Sequence, residues 1–369
     1  MIKIQSPFAY IQGPGAMDKL GEYVKNCGEK FFIISGGTAY RQKKDIIEKS
    51  FADNGLVCHF ELFGGECCDE EISRLLEISN SGKYNAVIGI GGGKVIDTSK
   101  AVASRKDVPV IICPTLASSD APCSSVAVIY TKEGAVLRSE YSKTNPYMVI
   151  VDSTVIANAP AYQLVAGMGD AAATYLEARA SYERGWFTPL RQQSSVTAQA
   201  LGKLAYDILM KDGYLAKLAV EKKTVSRALE NVIEANIYLS GVGFESGGIS
   251  CAHSIQNALT EIHECHLVPH GYRVAFGSMC LLVAENRPWE EIEQLIAFNA
   301  SVGLPVTLEE IGLVEDVEAK LKKIMPIAFV AGNAHSTCMP LGVTEDSLYS
   351  AILVADELGK EFLSRNPKA

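Results

Sequence analysis

Up to about residue 160, short β-branched runs alternate with segments of helical period, and beyond it the strand pattern stops. This constrains the chain to an α/β half followed by an all-helical half. The runs that read as strands are Phe31–Ile34, Ala86–Ile90, Val108–Cys113, Val126–Tyr130 and Met148–Val151. Helices are expected over Ala16–Cys27, after Arg41, over Asp69–Ser79 and over Lys94–Ser104, which is the rhythm of an open sheet with crossover helices. From residue 161, apolar residues recur three and four apart, as in Val225–Leu239 and Leu348–Glu361. The expected domains are therefore 1–160 and 161–369, with a ligand in the cleft between them.

At 369 residues the chain exceeds what one hydrophobic core usually supports, which agrees with two domains. No run of about 18 uncharged apolar residues occurs, so no segment is expected to span a bilayer. The opening MIKIQSPFAYIQGPG lacks the charged start and apolar stretch of a secretory leader, and a cytoplasmic location is expected. The ten cysteines are dispersed and form neither a zinc ribbon nor a disulfide framework. A net charge of −9 repels a phosphate backbone, so nucleic acid is not an expected partner, and without a spanning segment neither is a membrane.

The segment from Ala86 to Asp97 runs from a buried strand through Gly91, Gly92 and Gly93 into a helix. Such a turn lets a pyrophosphate approach the backbone and meet the N–H groups of the helix start. The spacing departs from the common fingerprints, since Lys94 takes the third glycine position of G-x-G-x-x-G and Val95 replaces the Ser/Thr of a P-loop. A purely structural turn is the alternative. Pro114-Thr115 ends another strand, and Ser118, Ser119 and Asp120 follow it, gathering hydroxyl and carboxylate groups at the edge where α/β sheets bind ligands.

Asp170, His253 and His270 provide one carboxylate and two imidazoles, enough to hold a divalent metal and leave a position for a substrate oxygen. Taken singly, each has an ordinary reading: Asp170 as a helix cap, His253 as a hydrogen-bonded core residue, His270 as a turn residue facing solvent. A competing cluster, His263, Cys265, His266 and His270, offers only one thiolate and matches no common zinc spacing.

The segments GIGGGKVIDTSKAVA, PTLASSDAPCSSVAVIYT, MVIVDSTVIANAPAYQLVAGMGDA, SGVGFESGGISCAHSIQNALT, HGYRVAFG and MPLGVTEDSLYSAILVAD together resemble the glycerol dehydrogenase group of the iron-containing alcohol dehydrogenase superfamily. The resemblance implies a dehydroquinate synthase-like fold, with a dinucleotide-binding α/β domain, a helical metal- and substrate-binding domain, and homo-oligomers. It implies Asp170, His253 and His270 as metal ligands and Asp120 as the substrate-contacting acid. Gly93, Lys94, Thr115, Ser118, Ser124 and Tyr130 fall on its dinucleotide contacts, and Gly91, Gly92, Asp97 and Val126 complete the expected set. Iron-dependent relatives carry a histidine four residues after the aspartate, where this chain has Thr174, which favours Zn2+.

Two positions depart from the family pattern. Where many relatives place an acid after the first long strand, this chain has Ser35-Gly36-Gly37, which leaves NADP open beside NAD. Gln256 replaces a family histidine, and an amide cannot titrate near neutrality. The implied reaction converts glycerol and NAD(P)+ to dihydroxyacetone and NAD(P)H, with hydride leaving a zinc-bound alkoxide of a small polyol. The runner-up is an NADPH-dependent 2-oxo acid reductase, a hydroxycarboxylate dehydrogenase on the same scaffold, although Asp120 repels an acid substrate. A dehydroquinate synthase-type lyase ranks lower, because only Arg179 and Arg273 lie near the metal segments to meet a phosphorylated substrate.

Overall fold

The structure, a computed structural model, describes residues 1–331 and 337–366. Two compact units divide the chain: Gln5–Ala161 with Ala219–Tyr238, and Met1–Ile4 with Tyr162–Leu218 and Leu239 onward.

The first unit is built on a six-stranded parallel sheet. Its strands are β1 (Ala9–Gly13), β2 (Lys30–Ser35), β3 (Val57–Leu62), β4 (Ala86–Gly91), β5 (Val110–Pro114) and β8 (Met148–Asp152), in the order β1-β8-β5-β4-β2-β3. Strands β4, β5 and β8 are buried along their whole length, which is why they read as continuous β-branched runs. The edge strands β1 and β3 carry polar and half-exposed residues, and neither shows as a strand in the sequence pattern. One face of the sheet packs Phe31, Ile33, Ile88, Ile111 and Ile150 against Met17, Leu20, Ile47 and Phe51. On the other face lies the helix Gly93–Lys106, so close that a Cβ at Gly89 would stand 2.5 Å from Ser99 Oγ.

Three expectations are corrected here. Val126–Tyr130 is a strand (β6), but it pairs antiparallel with β7 (Val136–Tyr141) in a separate ribbon and takes no part in the parallel sheet. Ala16–Cys27 is one α-helical turn, Leu20–Val24, between two 3-10 turns. The helix expected after Arg41 starts at Gly37, directly after β2, and is here α1 (Gly37–Asp53). The other two helices expected in this half are α2 (Asp69–Asn80) and α3 (Gly93–Lys106).

The helix Arg227–Glu234 belongs to this first unit. Gln12 Nε2 donates to the Glu230 backbone carbonyl at 2.9 Å and to its carboxylate at 2.5 Å, and Ser153 Oγ donates to the same carboxylate at 2.6 Å. A π-helical turn, Ala235–Leu239, follows, and Asn236 Nδ2 donates from it to the Ala117 carbonyl at 3.0 Å.

The second unit is helical. Its helices include α4 (Ala161–Arg184), α5 (Cys251–Leu259) and α6 (His270–Ala284), which carry Asp170, His253 and His270. No helix among the described residues is long and apolar enough to cross a membrane.

Candidate active site

In the first unit, chain direction along the sheet reverses between β2 and β4: β3 lies to one side of β2, whereas β4, β5 and β8 lie to the other. The crevice outside the carboxyl ends at such a switch point is the usual ligand site of an open α/β sheet. Register levels the ends, pairing Ser35 with Ile90 and Gly91 with Pro114. Gly36 donates its N–H to the Ile90 carbonyl at 2.9 Å and so stands beside the glycine turn.

The three glycines of that turn differ in their surroundings. A Cβ at Gly91 would stand 2.6 Å from Val95 Cγ2, so this glycine permits α3 to fold back on β4. A Cβ at Gly93 would meet nothing within 4 Å. Gly93 is the first residue of α3, whose opening N–H groups have no acceptor within the helix. An open backbone at a helix start is what a pyrophosphate needs.

Around the turn, the Thr115 N–H donates to the Gly91 carbonyl at 3.0 Å, and Lys94 Nζ pairs with Glu66 at 2.5 Å while lying 5.7 Å over the Tyr130 ring. Ser118 and Asp120 lie half-buried in the loop from β5 to β6. Asp120 precedes the 3-10 turn Ala121–Cys123, and its side chain makes no capping bond there. Lys100, fully buried, donates to the carbonyls of Ala121 (2.6 Å) and Val126 (2.7 Å) and to Ser124 Oγ (3.4 Å). Asp97 accepts from the Val128 N–H at 3.1 Å and lies 3.6 Å from Lys100. Burial raises the Asp97 carboxyl even with that ammonium beside it. Asp97, Ser124 and the Val126 carbonyl thus belong to one framework around buried Lys100 that holds the loop carrying Asp120.

In the second unit, Asp170, His253 and His270 come together, each offering a ligand atom within 4.8 Å of the others. It is the one such group of three among the described residues, and His263, Cys265 and His266 are not part of it. Asp170 Oδ1 lies 3.4 Å from His253 Nε2 and 3.2 Å from His270 Nε2. Asp170 lies well inside α4, nine residues after its start, so the capping alternative does not hold. His253 is the third residue of α5 and His270 the first of α6.

Small residues beside each ligand explain the meeting. A Cβ at Gly169 would overlap the Gly271 carbonyl oxygen, and one at Gly271 would overlap that of Ala166, so α4 and α6 touch backbone to backbone next to Asp170 and His270. A Cβ at Gly277 would stand 2.5 Å from the Ala252 carbonyl oxygen, which sets α6 against α5 beside His253.

Burial by itself raises the Asp170 carboxyl, but His270 and His253 outweigh it and hold the group well below the usual carboxylate range. Burial lowers the His253 imidazolium, and Glu177 with Asp170 more than reverses this, leaving it well above its ordinary value. Side-chain exposure rises from 1% at Asp170 through 15% at His253 to 44% at His270, so the group opens toward solvent on the His270 side. An ionised carboxylate and two imidazoles converging in this way fit a divalent ion.

Thr174, four residues after Asp170, is buried and engaged in packing between helices. Its hydroxyl shares a 2.8 Å hydrogen bond with Ser240 Oγ, and a Cβ at Gly243 would come 2.9 Å from its methyl. Gln256 is buried on α5, one turn beyond His253.

Glu177 is the residue that sequence reasoning missed. Its fully buried carboxylate meets His253 Nδ1 at 2.5 Å. The available signal was its place seven residues after Asp170 on one apolar helix, which puts both on one face.

The sequence profile described as "Iron-containing alcohol dehydrogenase" matches residues 7–153. The chain is 47% identical to a glycerol dehydrogenase of Escherichia coli over 98% of both chains. It is 42% identical to one of Citrobacter freundii, over 98% of this chain and 99% of the relative. The chain belongs to the glycerol dehydrogenase group of the iron-containing alcohol dehydrogenase family. Within the family, the solved glycerol dehydrogenase of Schizosaccharomyces pombe superposes with a TM-score of 0.94 at 30% identity, covering all of this chain and 94% of that one.

Proposed function

We propose that this chain is a metal-dependent polyol oxidoreductase that interconverts glycerol and dihydroxyacetone with a nicotinamide dinucleotide. Its near full-length identity to glycerol dehydrogenases, 47% in the first case, carries the reading, and the Asp170–His253–His270 group supports it. These relatives also favour a polyol over the 2-oxo acid reductase alternative.

On this reading Asp170 Oδ1, His253 Nε2 and His270 Nε2 hold a divalent ion, Zn2+, and leave its solvent side for substrate. When bound, the metal supplies Lewis-acid polarisation of a substrate hydroxyl and the nicotinamide ring takes or gives the hydride. Asp120 orients a second hydroxyl of the diol and disfavours a carboxylate substrate. The Gly93 backbone and α3 start, with Gly91, Gly92, Lys94, Thr115 and Ser118, hold the dinucleotide, and Tyr130 flanks Lys94. Asp97, Ser124 and Val126, joined to one another through Lys100, complete the proposed dinucleotide-binding set. The residues beside β2 leave the choice of NAD or NADP to Gly36 and its neighbours. The protein acts in the cytoplasm as a homo-oligomer.

The test is absorbance at 340 nm on protein loaded with Zn2+. Glycerol-dependent reduction of NAD or NADP that disappears with a chelator and returns with Zn2+ is the expected result. In the same assay Asp120→Asn is expected to lower kcat with glycerol while leaving dinucleotide affinity unchanged. Activity confined to 2-oxo acids with NADPH would replace glycerol by the alternative substrate class.

A further inference from the structure

Glu177 holds two parts of one ligand residue at once. Its Oε1 accepts from the backbone N–H of Ser250 at 2.8 Å and of His253 at 3.0 Å. These are the N-cap and third residues of α5, and Ser250 itself makes no side-chain cap, its hydroxyl going to the Cys338 carbonyl at 2.7 Å. The cap that a helix normally takes from its own first residues therefore comes from α4. The other oxygen, Oε2, meets His253 Nδ1 at 2.5 Å. Backbone and ring of His253 are fixed by a single carboxylate, with Nε2 left facing Asp170 Oδ1.

A carboxylate is acceptor-only, so a ring nitrogen bonded to it must carry a proton. With the proton on Nδ1, the lone pair of a neutral imidazole lies on Nε2, the nitrogen that points into the group. We infer that Glu177 is a positioning residue of the metal centre: it keeps the His253 proton on Nδ1, so that Nε2 serves as ligand, and so sets the affinity of the centre for a divalent cation. The inference rests on the metal reading under Proposed function.

Glu177→Gln separates this role from simple packing. The amide has the same shape, and with its oxygen toward Ser250 and His253 it keeps both backbone bonds. Its NH2 then faces Nδ1, which must accept, and the proton moves to Nε2. Turning the amide over restores the ring bond only by aiming the NH2 at two backbone N–H donors. Neither orientation keeps both the two backbone bonds and a proton on Nδ1.

Metal-free protein is titrated with Zn2+ against a chromophoric chelator, and NAD affinity is measured separately by fluorescence. Glu177→Gln is expected to weaken Zn2+ binding by about 10- to 100-fold, the usual effect of losing an outer-shell partner. NAD affinity is expected to stay within about twofold, and the visible bands of the Co2+-loaded protein to change, because a ligand has been disturbed. Should Glu177→Gln not fold, Glu177→Asp keeps the charge but withdraws it by one methylene, and a smaller loss of Zn2+ affinity is expected. Wild-type Zn2+ affinity in whichever of these variants folds overturns the inference. A wild-type protein that binds no divalent metal overturns the metal reading itself, and the inference with it.

Discussion

Gly271 of α6 lies against Ala166 of α4 with no room for a methyl group between them. This contact stands one residue from His270 and four from Asp170, and it sets the 3.2 Å separation of their side chains. Gly271→Ala is therefore expected to cost about 1–3 kcal/mol, the usual range for overpacking, and to weaken Zn2+ binding more than dinucleotide binding. Thermal unfolding and paired titrations of the two ligands measure this, and a folded variant with wild-type Zn2+ affinity would contradict it.

Gly91 and Gly93 are expected to respond in opposite ways to the same change. Gly91→Ala forces a methyl into Val95 and should destabilise the protein by about 1–3 kcal/mol. Gly93→Ala meets open space at the first position of α3, so stability should hold or rise by up to about 1 kcal/mol. Its dinucleotide affinity should nevertheless fall if, as proposed, the pyrophosphate approaches the backbone there. Unfolding curves set beside binding isotherms distinguish the two glycines, and equal behaviour in both would count against a ligand at Gly93.

Position 36 accepts a side chain. Gly36 has φ −66 and ψ 148, and a Cβ there would lie no closer than 3.7 Å to any neighbour. Gly36→Asp should therefore fold normally, place a carboxylate beside the end of β4, and raise the preference for NAD over NADP. A shift of about tenfold, or about 1.4 kcal/mol, in the ratio of the two dissociation constants is expected. An unchanged ratio would place the ribose away from this residue.

Acid should release the β6–β7 ribbon from α2. Asp69 at the start of α2 binds Arg138 of β7 at 2.7 Å and Arg105 of α3 at 3.3 Å, and Arg138 above all draws its carboxyl down from 3.8 to about 2. The folded value is depressed, so this stabilisation is present above about 3.8 and is lost as pH falls through about 2. Hydrogen exchange of Val136–Tyr141 followed from pH 5 to pH 2 should show protection falling toward the acid end, and Asp69→Asn should show reduced protection already at pH 5.

Strands β2, β4, β5 and β8 were legible because a strand covered on both faces must be apolar throughout, and such runs are hard to mistake. The β3 sequence VCHFEL lies at the sheet edge with His59 exposed and Glu61 half-exposed, and its pattern carries little strand signal. Val126–Tyr130 was legible as a strand, but strand propensity does not say which sheet a strand joins. Asp170, His253 and His270 were legible as three residues, while the meeting of α4, α5 and α6 through Gly169, Gly271 and Gly277 required the structure. Glu177 stayed hidden because an acid inside an apolar helix shows its purpose only when the residue opposite, His253, is in view.

The return of Ala219–Tyr238 to the sheet-bearing unit governs how this protein can be taken apart. A fragment ended at residue 160 leaves Gln12 and Ser153 without Glu230, and the loop at Ala117 without Asn236. A chimera that exchanges the sheet-bearing half must carry residues 219–238 along with it, so the transplantable piece is two stretches of gene, not one.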